Sequence, residues 1–534
     1  MNENVNPTLV GEVASVTASR PPARGVRGRR GALRYLIPVV GLLTFLTFSP
    51  ALQFGFIEWD DWLHLVTNPS YRGLSWTHLH WMLTSVHGGH WLPATWLTFG
   101  LDYVIWGMDP FGYHLTNLLL HTANALLFFV TAGWLLKRAM PGVSETALDF
   151  GAAGAALMFA LHPMRVESVA WITERRDLLS GAFWLLTVVT YLRAPERSGQ
   201  KAGGWKIASL ACYAVAVMAK SITVTLPLVL LILDVYPLRR HGDARRNRRL
   251  LLEKAPYLPM SLFGAGMAVF AAPLIPHNDL SFLQRIALTA YSLWFYVATT
   301  VMPWPLSPLY GLPPSISLGA PRFLAPFFVV CVIASMALIL RRRWPALLAA
   351  AAAYVVMLAP VSGMLHRGPQ IAADRYSYLA CLPWALLFGG LVAIIVEKIW
   401  ARDGRRVAWG LAALACVCSI AVLPMLSVRQ LPVWRNGDTL WRYTVAVDPD
   451  CPMCHFYLGQ YLYSQDQPRV AVEHLSRAAA LDPALNDWWY FRVQRGLAYV
   501  AIGETDAAER ELAALRSLDR KIADDVGPAF IMRW

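Results

Sequence analysis

The chain has 534 residues, 56% of them apolar and 15% charged, with a mean hydropathy of +0.42. That balance excludes a string of soluble domains, a disordered chain, collagen and a nucleic-acid-binding core, and it describes a polytopic membrane protein. Lys and Arg number 47 against 34 Asp and Glu, a net charge of +13. The Arg clusters alternate with long apolar runs, so the excess reads as membrane topology.

In chain order, residues 1–32 carry Arg20, Arg24, Arg27, Arg29 and Arg30 in polar sequence, the composition of a disordered basic tail on the cytoplasmic side. The first span is expected at 33–54, as an anchor and not a removable leader. Further spans are expected near 112–136, 150–162, 178–193, 205–219, 223–237, 256–275, 322–340, 344–361, 378–397 and 407–427. The apolar stretch 283–303 is placed at the interface. Were it to cross, Arg341, Arg342, Arg343, Lys398, Arg402, Arg405 and Arg406 would all face outward, against the positive-inside tendency. Eleven spans then leave the amino terminus inside and everything after 428 outside. The expected fold is all-α: a membrane domain over 33–428 with an outer loop at 55–111, a connector at 429–451 and a short helical solenoid.

This topology brings the conspicuous polar chemistry to the outer face, where several kcal/mol per buried polar group would otherwise oppose it. The loop after the first span opens with Glu58, Trp59, Asp60 and Asp61. Such an acidic run suits a general base or a metal ligand, and equally a solvated helix cap. The nearby His residues lack a tight ligand spacing, so no zinc is assigned. The second outer turn, 162–177, holds His162, Arg165, Glu167, Glu174, Arg175, Arg176 and Asp177; Arg forks match phosphate oxygens, whereas paired surface charges are the plainer reading. Lys220 ends another apolar run, and Asp374, Arg375 and Tyr376 follow His366 and Arg367 in the last outer loop. A lone span-end Lys usually snorkels, but with Arg375 it could complete an anion site. Asp234, beside Arg239 and Arg240, reads as an inner structural ion pair.

The strings WDDWLHLVTNP at 59–69, ALHPMRVESVAWITERRDLLSGAFWLL at 160–186, MAKSITVTLPLVLLILDVYPLRR at 218–240 and ADRYSYL at 373–379 resemble bacterial membrane proteins with carboxyl-terminal tetratricopeptide repeats. These are similar to the transmembrane and tetratricopeptide-repeat O-mannosyltransferases and, more distantly, to the protein O-mannosyltransferases, all GT-C glycosyltransferases. The most specific part is H-P-x-x-x-E-S-V-A-W at 162–171. The resemblance implies a polyprenyl-phosphate-linked sugar, mannose or another hexose, transferred with inversion to protein Ser or Thr at the outer face of a bacterial inner membrane. It implies a catalytic acid in the first outer loop, Asp60 or Asp61 with Asp60 favoured. Donor-phosphate contacts would come from Arg165, Arg175, Arg176, Lys220 and Arg375. Glu58, His162, Glu167, Asp177, Asp374 and Tyr376 would support them. Cations can stabilise the leaving phosphate, so no cofactor is required, although the two Asp residues could bind a divalent ion. The alternatives are a lipid or polysaccharide acceptor for the same donor, or a non-catalytic membrane-anchored repeat scaffold.

After Arg429 the composition turns amphipathic. With Pro452 as position one of a 34-residue repeat, Leu458, Gly459, Ala471, Leu475, Ala478 and Pro483 fall on tetratricopeptide positions, and Gly496, Ala508 and Leu512 recur 37 residues on. The repeats are expected over 452–520, with a tail at 521–534, and their concave face would hold a protein acceptor. Cys451, Cys454 and His455 form a C-x-x-C-H string, read as a disulfide or spare thiols ahead of haem attachment; Cys212, Cys331, Cys381, Cys416 and Cys418 sit in apolar runs as small hydrophobes.

Overall fold

A computed structural model describes residues 26–194, 200–271, 280–313, 315–365, 368, 370–401 and 405–531. The chain is helical through nearly all of them. Proline, whose missing N–H costs nothing in the first helical turn, opens the helices Pro93–Trp106, Pro110–Ala139, Pro321–Ile339, Pro345–Leu358, Pro452–Ser464 and Pro468–Leu481. Asp109 caps the longest of these, accepting from the Phe111 backbone N–H at 3.0 Å.

Among the described residues six helices are long and apolar enough to cross a membrane: Leu33–Gln53, Pro110–Ala139, Pro321–Arg342, Pro345–Leu365, Leu382–Trp400 and Arg406–Trp434. A seventh results if Glu145–Ala160 and Pro163–Ala170, bent by 57° at Pro163, make one broken span. The chain is therefore a multi-pass, all-α membrane protein. The other expected spans coincide with helices that are short, such as Gly203–Ala219 and Ser221–Val235, or charged at one end. Arg175–Arg193 belongs to the second kind, since Arg175, Arg176, Asp177 and Arg193 all lie within it. The stretch 283–303 forms the helix Phe282–Val301. The first helix begins at Val26, inside the expected tail; residues 1–25, His366 and Arg367 lie outside the described residues.

Small residues set the tightest helix contact. A Cβ on Gly151 would come within 2.6 Å of the Gly389 carbonyl oxygen, so Glu145–Ala160 and Leu382–Trp400 pack backbone to backbone, as close-packed membrane helices do. At one end of the bundle Asp234 is fully buried and accepts both Tyr191 Oη, at 2.7 and 2.9 Å, and Arg240 Nη1, at 2.8 Å. Lys254 also donates to it. The expected structural pair is present, with Lys254 in the place expected for Arg239.

At the other end a short strand, Tyr310–Gly311, pairs antiparallel with Gln370–Ala372, Tyr310 opposite Ala372. The chain then leaves the last membrane helix into Gly437–Val447, followed by the helical hairpins Pro452–Ser464 with Pro468–Leu481 and Trp489–Ala501 with Thr505–Leu518. Leu458, Gly459, Ala471, Leu475, Ala478, Gly496, Ala508 and Leu512 are buried in their seams. A Cβ on Gly459 would stand 2.8 Å from Leu475 Cγ, which is why glycine occupies that crossing. One apolar core runs without interruption from Val40 in the membrane domain through Trp434, Trp441 and Phe456 to Ala498. The first hairpin is thus packed onto the membrane domain.

Candidate active site

The loop after the first span is pinned by its own acid. Asp61 is completely buried; its Oδ2 accepts the Ile57 backbone N–H at 3.0 Å, and its Oδ1 accepts the Thr173 N–H at 2.9 Å and the Thr173 hydroxyl. Burial outweighs those hydrogen bonds and raises its pKa from 3.8 to about 7. Asp60, one residue earlier, is the open member of the pair: its side chain is 28% exposed and lies 3.4 Å from Arg176 Nη2.

Arg176 leads to a buried hub at Glu174. Glu174 accepts from Arg176 Nε at 3.1 Å, from Lys220 Nζ at 3.0 Å, and pairs with Arg375 Nε at 3.3 Å. Burial alone would raise its pKa, but Arg176, Lys220 and Arg375 together hold it well below the usual carboxylate range. Lys220 also reaches Asp177 at 2.7 Å. Arg375 is bound on its other side by Glu167, which accepts its guanidinium and, at 2.7 Å, its backbone N–H. Three stretches far apart in sequence, around 60, 174 and 375, with Lys220 as a fourth contributor, therefore meet in one ion network. Asp374 lies behind it, hydrogen-bonded by Tyr310 Oη at 2.9 Å, and burial followed by the Glu167 charge pushes its pKa well above the ordinary value.

The other expected residues have partners of their own. Arg175 is separated from the network: it pairs with Asp102 at 2.5 Å, donates to Asn117 Oδ1 and the Tyr113 carbonyl at 2.8 Å, and stacks over Phe99 at 4.4 Å. It is fully buried with these partners. Arg165 is likewise only 1% exposed, donating to Ser377 Oγ at 2.5 Å between the Phe159 and Tyr378 rings. His162 caps the turn it precedes, accepting from Met164 N–H, and its other ring nitrogen meets the Thr300 carbonyl at 3.1 Å. The Tyr376 hydroxyl accepts from Gln370 Nε2 at 2.8 Å and its ring lies under Arg375. Glu58 accepts the Gly437 backbone N–H at 2.9 Å.

Residues absent from the expected site complete it. Thr173 holds Asp61, and the Glu174 hub organises the cations. His64 is buried in the same loop, 5.3 Å from His87 ring to ring, and burial lowers its pKa to about 4. A hydroxyl or an acid inside a run of charges carries no sequence mark of such a role. Among the described residues no three His, Cys, Asp or Glu side chains are grouped to hold a metal ion.

One cavity adjoins the network and shares two lining residues with a second. A narrow cleft is lined by Asp177, Thr223, Arg375 and Tyr376. A second cavity of about 580 Å³ lies among Pro110–Ala139, Arg175–Arg193, Leu226–Val235, Pro345–Leu358 and Leu382–Trp400, with walls such as Phe128, Val229, Ala350 and Leu386. Trp184 and Met357 line both, so the apolar cavity backs onto the charged cleft.

Comparison with curated proteins gives relatives of one kind. The chain is 24% identical to human protein O-mannosyl-transferase TMTC1 over 82% of its own length and 54% of the relative. It is 24% identical to mouse protein O-mannosyl-transferase TMTC4 over 82% and 65%. The chain is similar to the TMTC proteins. Human protein O-mannosyl-transferase TMTC2 is 32% identical over a shorter stretch, 31% of this chain and 20% of that protein. The resemblance read from the sequence motifs is thus borne out, while the chain spans between half and two thirds of the length of the relatives it matches most broadly. No family model and no solved structure matches the chain.

Proposed function

We propose that the protein is a GT-C-type glycosyltransferase that moves mannose or another hexose from a polyprenyl-phosphate donor to protein Ser or Thr hydroxyls, with inversion, at the outer face of a bacterial inner membrane. The observation that carries this reading is the placement of one partly exposed carboxylate, Asp60, beside a buried cation network that backs onto an apolar intramembrane cavity. Asp60 takes the acceptor hydroxyl proton as the new O–C1 bond forms; the C1–O bond to phosphate breaks, and its electron pair leaves on the polyprenyl phosphate. Arg176, Lys220 and Arg375 are the cations placed to meet that developing charge, each now held by a carboxylate that would share it with the donor. The apolar cavity suits an isoprenoid chain, and the carboxyl-terminal hairpins, read as tetratricopeptide repeats, suit a protein acceptor. The names of the relatives support the sugar and the acceptor class.

The test is direct. Full-length protein in lipid nanodiscs, given polyprenyl-phosphate mannose and a Ser/Thr peptide, is expected to yield a hexosylated peptide of opposite anomeric configuration to the donor. Loss of that product in Asp60→Asn, with normal folding, supports the reading; an unmodified peptide with the wild type, or undiminished transfer by Asp60→Asn, overturns it.

A further inference from the structure

The segment that carries Asp60 is held from two sides. Behind it, Asp61 is clasped by Thr173. In front of it, Glu58 and Trp59 contact the carboxyl-terminal helices. Glu58 Oε2 accepts the N–H of Gly437, the first residue of the helix Gly437–Val447. Trp59 lies flat against Trp171, ring centroids 4.5 Å apart and 12° from parallel, while Trp441 meets it edge-on at 4.9 Å and Tyr457 lies at 5.7 Å. Trp441 and Tyr457 are themselves stacked at 4.7 Å. Aromatic contacts of this kind contribute about 0.5–1.5 kcal/mol each beyond area burial, so the column fixes the backbone just before Asp60. Arg375 lies 5.5 Å over the Trp171 ring, which ties the cation side of the site to the same column. A second seam runs through Gly311, where a Cβ would stand 2.7 Å from Cys451 Sγ. Its strand pairs with Gln370–Ala372, two residues before Asp374 and Arg375. Cys451 is disulfide-bonded to Cys454 and buried at the head of the first hairpin.

We infer that the helices from Gly437 to Ser464 are a wall of the acidic site and that Glu58 and Trp59 are positioning residues through which this wall sets the place of Asp60. The inference rests on the transferase reading and adds a role for the soluble unit beyond holding an acceptor. Deleting 440–534 would strip Trp59 of two of its partners, so such a truncation cannot separate a protein acceptor from a lipid one: either enzyme would lose its aligned base.

Point variants in the full chain make the test. A Cβ on Gly437 would come within 2.5 Å of Glu58 Oε2 and 2.6 Å of the Tyr461 ring, so Gly437→Ala pushes the wall away without touching Asp60. Trp441→Ala empties the column and Trp441→Phe refills part of it; Glu58→Ala removes the acceptor and Glu58→Gln retains one. With a Ser peptide too short to span the hairpins, kcat in Gly437→Ala, Trp441→Ala and Glu58→Ala is expected to fall about tenfold to a hundredfold. KM for donor and peptide should stay close to wild type, and Trp441→Phe and Glu58→Gln should recover most of the rate. Hydrogen exchange at the amides of 57–62 should quicken in the same three variants. Wild-type kcat with the short peptide and unchanged exchange at 57–62, with loss only in KM for protein acceptors, would overturn the inference. If the wild type transfers no sugar, the transferase reading fails, and the exchange measurement still decides whether the wall holds the loop.

Discussion

Two buried carboxylate hubs lie at opposite ends of the helix Arg175–Arg193, roughly 22 Å apart by helical rise. Around Asp234, Tyr191, Arg240 and Lys254 close every direction, and Asp234 is fully buried. Around Glu174, the cations arrive from Arg176, Lys220 and Arg375, and the network continues to an acid with an exposed face, Asp60. The two ends share a chemistry of paired charges in apolar surroundings. What separates them is the open carboxylate at one end. A dense charge cluster is therefore not a site by itself; the closed one joins helices, and the open one keeps a carboxylate exposed.

The sharpest way to break that comparison is to remove one carboxylate from each end. Asp60→Asn is expected to lower transfer by about 10²–10⁴ at unchanged thermal stability, measured as kcat on correctly inserted protein. Asp234→Ala is expected to do the reverse, costing about 3–5 kcal/mol by leaving Lys254 without its carboxylate and Arg240 with Glu253 alone, read as a lower melting temperature with per-molecule activity retained. Equal loss of kcat in both would mean that the ends do not differ as described.

These two acids are equally visible in the sequence, where Asp234 is flanked by local cations and Asp60 is not. The helices were legible for the same local reason: long apolar runs opened by proline leave few alternatives. The all-α membrane fold was read that way. What was not legible was which long-range partner each Arg would find. Arg175 and Arg176 are consecutive, yet successive helical residues point about 100° apart. One therefore turns to Asp102 and the outer-loop helices, and the other to Glu174 and Asp60. Arg165 and His162 sit in the same charged turn, where the chain bends by 57° at Pro163, and their partners Ser377 and the Thr300 carbonyl come from 212 and 138 residues away. The Glu174 hub could not be singled out, since its partners come from 46 and about 200 residues away.

A smaller effect sharpens the open end. The Asp61 carboxyl has its pKa raised to about 7 in the folded loop against 3.8. A raised acid contributes stability that is complete below 3.8, and it is lost as pH rises towards 7, because the unfolded chain ionises first. The span of that loss is on the order of 4 kcal/mol as an upper bound. Local stability of 55–66, followed by hydrogen exchange, should fall between about pH 4 and pH 7 in the wild type and level off above it. Asp61→Asn should flatten that slope, because its amide carries no titrating proton. A slope that survives in Asp61→Asn would place the titration elsewhere in the loop.

The mildest change tests how complete the closed end is. Tyr191→Phe removes the hydroxyl that donates to Asp234 and receives Arg240 Nη1 at 2.7 Å and Lys254 Nζ at 2.6 Å. The ring stays, so no cavity opens, and the two cations still reach Asp234 without it. The cost should therefore be that of a single hydrogen-bonding group in a satisfied network, about 1–2 kcal/mol, seen as a melting-temperature decrease at unchanged kcat. Were the loss as large as for Asp234→Ala, the hydroxyl would be the centre of this hub and the carboxylate its auxiliary. The contrast with the other end would then shift from carboxylate exposure to the presence of a tyrosine hydroxyl at the centre of the hub.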